Sequence, residues 1–463
     1  MKQCVLLLLN LLFVVSLSAQ TVSGTLSLLP NQPINLDGFN GLTTYSIGAT
    51  NTDAKGNFRL TYTAKDYGIG YLKSNDSKPM FVILSGEDIE LVGESLASLE
   101  TIKILKGQEN QWFEQYAKEH PKREQALSAW NYLDKIYTIE PLFGLQNRVA
   151  TNIQTEKKRI KAEDAAFLAN LPQSSYMRWF LPMRKLVSAV SVVAQNQPEE
   201  IPGTIAAFRA IDYTDQRLYK SGLFKDALES HYWLLENSGK SLDAVFIEMQ
   251  KSIDAMMVSL VKDDKKLNEV TAYLFELFER HSLFSASEYL ALKVLNQTSG
   301  TINSNLARKL ESYRAMKKGN IAPDIAFQAQ SYANGVKQIQ LNSLSQIQTP
   351  YTLVVFGASW CPKCTEELPP LIQNYSKWKN LGIEVVYISL DSDKAAFEQA
   401  VKSYPFIAYC DYNKWESTPV KDYYVFGTPT FYLLNNQREI LLRPNTIAQM
   451  DAWVDWYLVR GNK

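Results

Sequence analysis

The sequence has no excess of charge of either sign. Lys and Arg together number 48, Asp and Glu also number 48, and the formal net charge at pH 7 is zero. A protein that binds nucleic acid usually carries a surplus of basic residues, because contacts to phosphate dominate that kind of binding. The composition therefore predicts no nucleic-acid partner.

Histidine is almost absent, with three residues in a chain of 463. His120, His231 and His281 lie far apart, and none belongs to a His-x-x-x-His or Cys/His pattern of the kind that binds zinc. A zinc site built on Cys361 and Cys364 would need two further ligands, and the surrounding sequence contains no histidine to supply them. We therefore predict no bound metal.

Cysteine is also rare, and its four residues do not suggest a disulfide framework. Cys4 lies in an N-terminal apolar run, which leaves Cys361, Cys364 and Cys410 in the rest of the chain. An exported protein stapled by disulfides usually has an even number of cysteines at scattered spacings. A single Cys-x-x-Cys pair indicates redox chemistry instead. For Cys410 two interpretations stay open, a free buried cysteine or a regulatory or third redox thiol.

Long apolar runs are missing after the first residues. Lys2 is followed by an apolar run over residues 4–15 and then by small and polar residues at 16–19. This is the pattern of a cleaved secretory signal peptide, here residues 1–19. An uncleaved membrane anchor is the alternative, although Asn10 interrupts the run and the run is short for a membrane span. We therefore predict a periplasmic or otherwise extracytoplasmic protein.

The rest of the chain divides into three predicted domains. Residues 20–106 alternate short apolar runs with turn residues, which predicts a small antiparallel β domain resembling a sandwich. Residues 107–318 follow the period of helices and predict an all-helical domain of about eight or nine helices. Examples of its long helical stretches are Lys157–Leu171, Arg217–Leu235 and Leu242–Arg280. A Gly and a Pro within Lys317–Asp324 then mark the start of the last domain, residues 319–463.

The last domain contains strands and helices in an informative order. A strand-like run at 351–358 leads into Cys361–Cys364, which opens a helix reaching about residue 378, as the pattern predicts. Next come a buried strand at 383–390, a helix at 394–403, a Gly-Thr-Pro segment, strands at 431–434 and 439–442 and a helix at 447–458. This order predicts an α/β fold.

A known family shares this order and its motifs. The strand that runs into Trp360–Cys364 and the later Gly427–Pro429 resemble the thioredoxin fold. The opening Ala322–Asp324 and the Cys-x-x-Cys-x-x-Glu-x-Pro string of Cys361–Pro369 narrow the resemblance to the TlpA/ResA-like extracytoplasmic thioredoxins. The resemblance covers about the last domain and implies a C-terminal thioredoxin-like fold with thiol-disulfide exchange activity. With its β and helical domains, the whole chain is similar to multidomain proteins of this kind from Bacteroidota.

The positions of the dithiol residues predict their roles. Cys361 lies at a helix N-terminus, where unpaired backbone N–H groups favour a thiolate, and Lys363 adds a nearby positive charge. Cys364 follows one turn later, where the helix buries it and lets it attack a mixed disulfide from within. We therefore assign Cys361 as the nucleophile and Cys364 as the resolving thiol. Pro362 suits the first helical turn, because it has no N–H to leave unpaired, and it stiffens the loop.

Four further residues complete the predicted site. Glu367 lies one turn after Cys364, so its carboxylate is a candidate acceptor for the proton of Cys364, a role that the resemblance also implies. A solvated glutamate that only complements the helix dipole is the alternative. The resemblance further implies that the Thr428–Pro429 peptide is cis and that the backbone of Thr428 pairs with a client. Trp360 is expected to pack beside the dithiol and shield it.

Together these features predict an exported thiol-disulfide oxidoreductase that reduces, or alternatively oxidises, protein disulfides. It would use its own dithiol and no bound cofactor, exchange electrons with an upstream thiol partner, and be monomeric or weakly associating. A thiol peroxidase is one alternative, but its Pro-x-x-x-Thr-x-x-Cys loop is missing, because Val354 and Ala358 occupy the Pro and Thr positions. A non-catalytic client-binding or assembly protein with a passenger thioredoxin domain is the other.

Overall fold

The computed structural model of the protein describes residues 19–75, 79–144, 146–281, 283–297, 304–328, 331–338 and 341–461. The predicted signal peptide lies outside these residues except for its last position. The chain forms two compact units, one that ends at Lys240 and one that spans Ser241–Lys463. The predicted boundaries after residues 106 and 318 stay predictions.

The first unit begins with a sandwich of two four-stranded sheets. Its strands are β1 (Gln20–Leu26), β2 (Pro33–Asn40), β3 (Thr43–Asn51), β4 (Asn57–Tyr62), β5 (Gly68–Lys73), β6 (Met80–Leu84), β7 (Ile89–Gly93) and β8 (Lys103–Lys106). The strand orders are β4-β1-β7-β8 and β3-β2-β5-β6, and Val22, Leu36, Leu60 and Val82 from the two sheets share one core. The predicted antiparallel β domain is confirmed, with one parallel pair, β1 and β7, in addition.

Helices follow the sandwich, as predicted. The first unit contains α1 (Gln108–Ile139), α2 (Asn147–Asn170), α3 (Tyr176–Ser188), α4 (Val190–Asn196), α5 (Ile201–Arg209), α6 (Gln216–Tyr219) and α7 (Phe224–Glu236). The second unit begins with α8 (Leu242–Leu260), α9 (Asp264–Arg280), α10 (Phe284–Gln297) and α11 (Ser304–Ala315).

The eleven helices within the described residues exceed the predicted eight or nine because two long stretches are broken. The stretch predicted at Arg217–Leu235 is interrupted at Gly222, whose φ of +75° lies in the left-handed region that glycine adopts without strain. The stretch predicted at Leu242–Arg280 breaks before Asp263, whose side chain accepts a hydrogen bond from the backbone N–H of Lys266 and caps α9.

The second unit ends in a seven-stranded mixed sheet. Its strands are β9 (Ser331–Ala333), β10 (Val336–Gln338), β11 (Tyr351–Gly357), β12 (Ile383–Ser389), β13 (Ile407–Cys410), β14 (Thr430–Asn435) and β15 (Ile440–Leu442). Its helices are α12 (Pro362–Asn380), α13 (Lys394–Val401), α14 (Thr418–Asp422) and α15 (Ile447–Val454), and a π-helical turn follows at Asp455–Arg460. The strand order is β10-β9-β13-β12-β11-β14-β15, with β11, β12 and β13 parallel. The predicted α/β thioredoxin-like fold is confirmed.

The central strands of this sheet are covered on both faces. Every residue of β12 is buried, and successive residues of β11 enter two different cores. Val354 and Phe356 pack on the face that also buries Cys361 and Cys364, whereas Leu353 and Val355 pack on the face that holds Trp378. Such two-sided burial is typical of parallel strands and gives the loop after β11 a rigid base.

Membrane-spanning helices were sought in the part of the chain that the structure describes. None of the helices there combines the length and the hydrophobicity needed to cross a bilayer.

Candidate active site

Cys361 is the N-cap residue of α12. The strand β11 ends at Gly357, and a short loop carries the chain to Pro362, the first residue of the helix. The backbone N–H of Cys364 points at the sulfur of Cys361, with 3.1 Å between nitrogen and Sγ. The free N–H groups and the dipole of a helix N-terminus stabilise negative charge at this position. This position agrees with the predicted location of Cys361 at a helix N-terminus, and its thiolate in the reduced protein stays a prediction.

Cys361 and Cys364 form a disulfide, with their Cα atoms 5.3 Å apart, so the structure represents the oxidised form. Cys364 is 2% exposed, which agrees with the predicted burial of the resolving thiol. Cys361 is itself only 4% exposed. A disulfide partner must consequently approach Cys361 along a restricted direction.

The Thr428–Pro429 peptide is cis, as predicted. The carbonyl oxygen of Thr428 lies 3.3 Å from Sγ of Cys361. The sheet explains this proximity, because β14 pairs with β11 in antiparallel register and Thr430 stands opposite Phe356. The loop before β14 and the loop after β11 therefore meet at the same edge of the sheet. The carbonyl of Thr428 and the reactive sulfur form one continuous surface.

Trp360 is 47% exposed and contributes to an aromatic rim. Its ring centroid lies 6.3 Å from that of Trp415, and Nζ of Lys414 lies 5.0 Å from the Trp360 ring centroid. Phe426, in the loop before the cis peptide, is 50% exposed. Exposed aromatic residues around a reactive centre are suited to contacts with a client. Shielding of the dithiol by Trp360 stays a prediction.

The charge of Lys363 is engaged with acidic neighbours. Its Nζ lies 3.0 Å from a carboxylate oxygen of Glu366 and 3.8 Å from one of Glu367. The hydrogen bond to Glu366 raises the pKa of Lys363, so the ammonium stays charged. Two carboxylates nevertheless offset its field at Cys361. Lys363 therefore favours a thiolate on Cys361 less than a lysine without acidic neighbours would.

Glu367 is held between two elements. Its side chain is 12% exposed, and one carboxylate oxygen accepts a hydrogen bond of 2.8 Å from the backbone N–H of Ile447, the first residue of α15. Glu367 thus stabilises the start of the last helix. The alternative of a freely solvated glutamate is wrong, because the side chain is mostly buried and has this fixed partner. Its role as a proton acceptor for Cys364 stays a prediction.

Sequence reasoning missed Asp391, which lies two residues after the end of β12 and is 2% exposed. Its carboxylate accepts hydrogen bonds from the backbone N–H of Ser359 at 3.1 Å, from Oγ of Ser359 at 2.7 Å and from Oγ of Ser389 at 2.7 Å. Asp391 thereby ties the loop that carries Trp360 and Cys361 to the end of a central strand. A signal was present, because polar residues at the carboxyl ends of parallel strands often belong to functional sites.

Cys410 is free and buried, in agreement with the first of its two interpretations. Its Sγ lies 3.2 Å from the backbone oxygen of Asp391, and burial raises the pKa of its thiol to about 11. A thiol with this pKa carries almost no thiolate at neutral pH. Cys410 is therefore unsuited to thiol-disulfide exchange in the folded protein.

One possible metal-ligand group occurs among the described residues, formed by His120, Glu124 and Asp164 in the first unit. Nδ1 of His120 lies 2.7 Å from Asp164, but Arg123 also lies 3.2 Å from Asp164 and Lys185 lies 3.5 Å from Glu124. These cations already balance the carboxylates, so the group has the character of an ion-pair network. The prediction of no bound metal stays a prediction.

A groove of about 790 Å³ opens beside the cis peptide, within the second unit. One wall comes from the thioredoxin-like fold and the other from the ends of α9, α10 and α11. The residues that line it include Glu279, Arg280, Ser285, Glu288, Ser312, Tyr313, Lys318, Lys363, Phe426, Thr428, Pro429, Thr430, Arg443 and Asn445.

Known proteins resemble the domain that carries this site. A family model described as thioredoxin-like matches residues 350–440. The thiol-disulfide oxidoreductase ResA of Oceanobacillus iheyensis is 31% identical over 140 residues, which are 30% of this chain and 69% of that relative. The sporulation thiol-disulfide oxidoreductase A of Bacillus subtilis is 27% identical over 114 residues, 22% of this chain and 66% of that relative.

Among solved structures, a thioredoxin-like protein from Bacteroides caccae is similar to part of this chain. It has a TM-score of 0.42 and 17% sequence identity and covers 56% of this chain and 93% of its own. Because the match to the Oceanobacillus iheyensis protein spans 69% of that relative at 31% identity, the chain belongs to the TlpA/ResA-like family of thioredoxin-fold thiol-disulfide oxidoreductases.

Proposed function

We propose that the protein is an exported enzyme that reduces disulfide bonds in protein clients through the Cys361–Cys364 dithiol. The observation that carries this proposal is the position of Cys361, at the start of α12 with its Sγ 3.3 Å from the carbonyl oxygen of Thr428. The helix N-terminus would stabilise a thiolate there, and in this proposal the backbone of Thr428 aligns the client chain beside it.

The reaction proceeds through a mixed disulfide. The Cys361 thiolate attacks one sulfur of the client disulfide, which forms a bond between enzyme and client and releases the other client sulfur as a thiolate that takes up a proton. Cys364 then loses its proton and attacks Sγ of Cys361. This second step forms the Cys361–Cys364 disulfide and releases the second client thiolate. The client gains two electrons and two protons, and the enzyme is oxidised.

The buried carboxylate of Glu367 is our candidate acceptor for the proton of Cys364. Glu367 lies on α12 one turn after Cys364, and its second carboxylate oxygen is only loosely paired with Lys363, at 3.8 Å. Its bond to the N–H of Ile447 fixes its orientation. In this proposal Glu367 combines a structural contact with a proton-transfer role.

A second catalytic cycle requires an external dithiol that reduces the Cys361–Cys364 disulfide. The oxidised enzyme returns to the dithiol form when an upstream thiol partner donates two electrons by the same exchange chemistry. The redox-active groups are side chains of the protein, so no bound cofactor is needed. The apolar N-terminal run and the small residues after it support export to an extracytoplasmic compartment, where protein disulfides are formed and persist.

Reduction of insulin disulfides tests this proposal. We expect the prereduced protein to reduce insulin with dithiothreitol as the regenerating dithiol, and the Cys361→Ser variant to lose this activity. The Cys410→Ser variant is the matched control, because Cys410 is buried and outside the dithiol. Equal activity of Cys361→Ser and the unmodified protein would contradict the proposal.

A further inference from the structure

The groove beside Thr428–Pro429 has a second wall that the thioredoxin-like fold does not supply. This wall consists of Glu279 and Arg280 at the end of α9, of residues in α10 and α11, and of Lys318 after α11. Cys361 lies next to the first wall, because its Sγ is 3.3 Å from the carbonyl oxygen of Thr428. A client that reaches Cys361 therefore has the helical wall beside it.

The helical wall is firmly attached to the domain that carries the dithiol. Nδ2 of Asn445 donates a hydrogen bond of 3.0 Å to the backbone oxygen of Glu279. Nδ2 of Asn320 donates one of 2.9 Å to the backbone oxygen of Ala315, at the end of α11. Met316 is 1% exposed and belongs to the same core as Cys361 and Cys364. The groove is consequently preformed.

Arg443 is a cation of the groove lining with one guanidinium nitrogen, Nη1, unpaired among the described residues. Its guanidinium carbon lies 4.8 Å from the ring centroid of Tyr313 and 5.1 Å from that of Tyr432, so two aromatic rings hold it in place. Its Nη1 atom is buried and has no hydrogen-bond partner among the residues that the structure describes. Buried donors are nearly always paired, and a guanidinium matches a carboxylate in geometry and charge.

The remaining charges of the groove fit the same ligand. Arg280 and Lys318 add positive charge along the lining, whereas Glu279 and Glu288 add negative charge. Lys363 also lines the groove, but its charge is offset by Glu366 and Glu367. The carboxylate of Glu279 accepts a hydrogen bond from the Tyr313 hydroxyl at 2.9 Å. Burial raises the pKa of Glu288, while the nearby charges of Arg443 and Lys318 act in the opposite direction. The groove thus has a cationic balance beside an incompletely paired guanidinium.

We propose that this groove binds an acidic segment of a client polypeptide, next to the client cysteine, and that Arg443 holds a carboxylate of that segment. This inference rests on the proposed reduction of protein disulfides. A polypeptide fits because the groove is open and continuous with the cis-peptide loop, and its volume of about 790 Å³ leaves room for several side chains. The helical region would then select clients for the thioredoxin-like domain.

The test uses two synthetic peptides with the same internal disulfide, one with Glu and one with Gln at the positions that flank the cysteine. The prereduced full-length protein is mixed with each peptide, and the second-order rate constant of peptide reduction is measured. We expect the Glu peptide to react about tenfold faster, since a charge-assisted hydrogen bond contributes this much or more. We expect Arg443→Gln to reduce the preference to about one, whereas Lys394→Gln, an exposed residue outside the groove, keeps it. Equal rates for the two peptides with the unmodified protein would overturn the inference.

A second variant and two further substrates keep the result clear. Glu288→Gln removes a negative charge from the lining, so it should increase the preference for the Glu peptide, and an unchanged or smaller preference would count against the inference.

Bis(2-hydroxyethyl) disulfide is a small, neutral substrate that separates this inference from the proposed function. If the unmodified protein reduces it but does not distinguish the peptides, this inference fails alone; if no disulfide is reduced, the proposed function fails. Faster Arg443-dependent reduction of oxidised glutathione than of the Glu peptide would contradict a polypeptide occupant.

Discussion

At the residue scale, two kinds of cysteine occur within one domain, and their surroundings give them opposite properties. Cys361 caps a helix N-terminus, which favours the thiolate, whereas burial raises the pKa of Cys410 to about 11. We predict that iodoacetamide at pH 7 modifies Cys361 in the reduced native protein and spares Cys410. Because the raised pKa keeps Cys410 protonated until the pH approaches 11, labelling of Cys410 should begin only in alkaline solution or after unfolding. Mass spectrometry of the alkylated peptides measures the labelling of Cys361 and of Cys410. Labelling of Cys410 in the native protein at pH 7 would contradict this account.

Glu367 allows its structural and chemical roles to be separated by two substitutions. Glu367→Gln keeps an oxygen that can accept the hydrogen bond from Ile447, so the free energy of unfolding should change little. Glu367→Ala removes the acceptor and should cost about 1–2 kcal/mol, the usual effect of losing a helix cap. Both variants should slow release of the mixed disulfide and alter its pH profile if Glu367 accepts the proton of Cys364. Urea unfolding and rapid-mixing kinetics measure the two effects, and a normal rate and pH profile for Glu367→Gln would rule out the proton-transfer role.

The sequence was most informative about residues whose chemistry is encoded locally. The Cys-x-x-Cys pair and the helix start at Pro362 were predicted from local motifs, and the structure has the disulfide and the helix start. The cis peptide at Thr428–Pro429 was implied by the family resemblance and is also present. The ion-pair partners of Lys363 and the hydrogen-bond partner of Glu367 were not predicted. The contact between Glu367 and Ile447 joins residues far apart in the chain, and no local pattern specifies it.

At the scale of elements, the active-site loop depends on the anchor between β12 and the segment after β11. Asp391→Ala leaves three donors on Ser359 and Ser389 without their acceptor. Ser389 is 1% exposed, whereas Ser359 is exposed and can bond water instead. Since one unpaired buried donor costs about 1–3 kcal/mol, we predict a loss of about 1–3 kcal/mol in the free energy of unfolding and slower reduction of insulin. Asp391→Asn retains one acceptor oxygen and should lose less than half as much. Chemical denaturation of both variants checks that Asp391→Ala is less stable than Asp391→Asn. Equal stability of Asp391→Ala and the unmodified protein would contradict the proposed role of Asp391 as an anchor.

Strand and helix types were predictable where the periodic pattern was long, and their breaks were not. The strands β11 and β12 follow continuous apolar runs, as two-sided burial requires. β13 was missed because it has only four residues and lies directly after the short Pro405–Phe406 segment. The break at Gly222 was missed because a single glycine inside a helical pattern does not by itself end a helix.

At the scale of the whole molecule, the compact unit Ser241–Lys463 extends beyond the thioredoxin-like domain expected from sequence. Met316 follows directly after α11, and its side chain packs in the same core as the dithiol. We predict that a fragment of residues 241–463 folds cooperatively and keeps its activity towards bis(2-hydroxyethyl) disulfide. A fragment of residues 319–463 lacks Met316 and should be less stable by about 2 kcal/mol, in line with loss of a buried large side chain. Thermal unfolding of both fragments measures the difference in stability. Equal stability would indicate that residues 319–463 already form the complete domain.

Motifs could not reveal this extension of the domain. Residue types in α9, α10 and α11 predict helices, but the hydrogen bond from Asn445 to Glu279 depends on how the chain folds back over a long sequence distance. The groove lined by Arg443 arises from the same long-range packing. Sequence reasoning therefore located the chemistry and left the surroundings of the reactive sulfur to the structure.

The reduction potential of the Cys361–Cys364 couple is the most direct test of the central claim. The full-length protein is equilibrated with mixtures of reduced and oxidised dithiothreitol or glutathione, and the fraction of disulfide is measured after acid quenching and alkylation. A disulfide reductase should have a potential close to that of thioredoxin, about −270 mV. A potential close to that of the oxidant DsbA, about −120 mV, or no reversible disulfide between Cys361 and Cys364, would contradict the account.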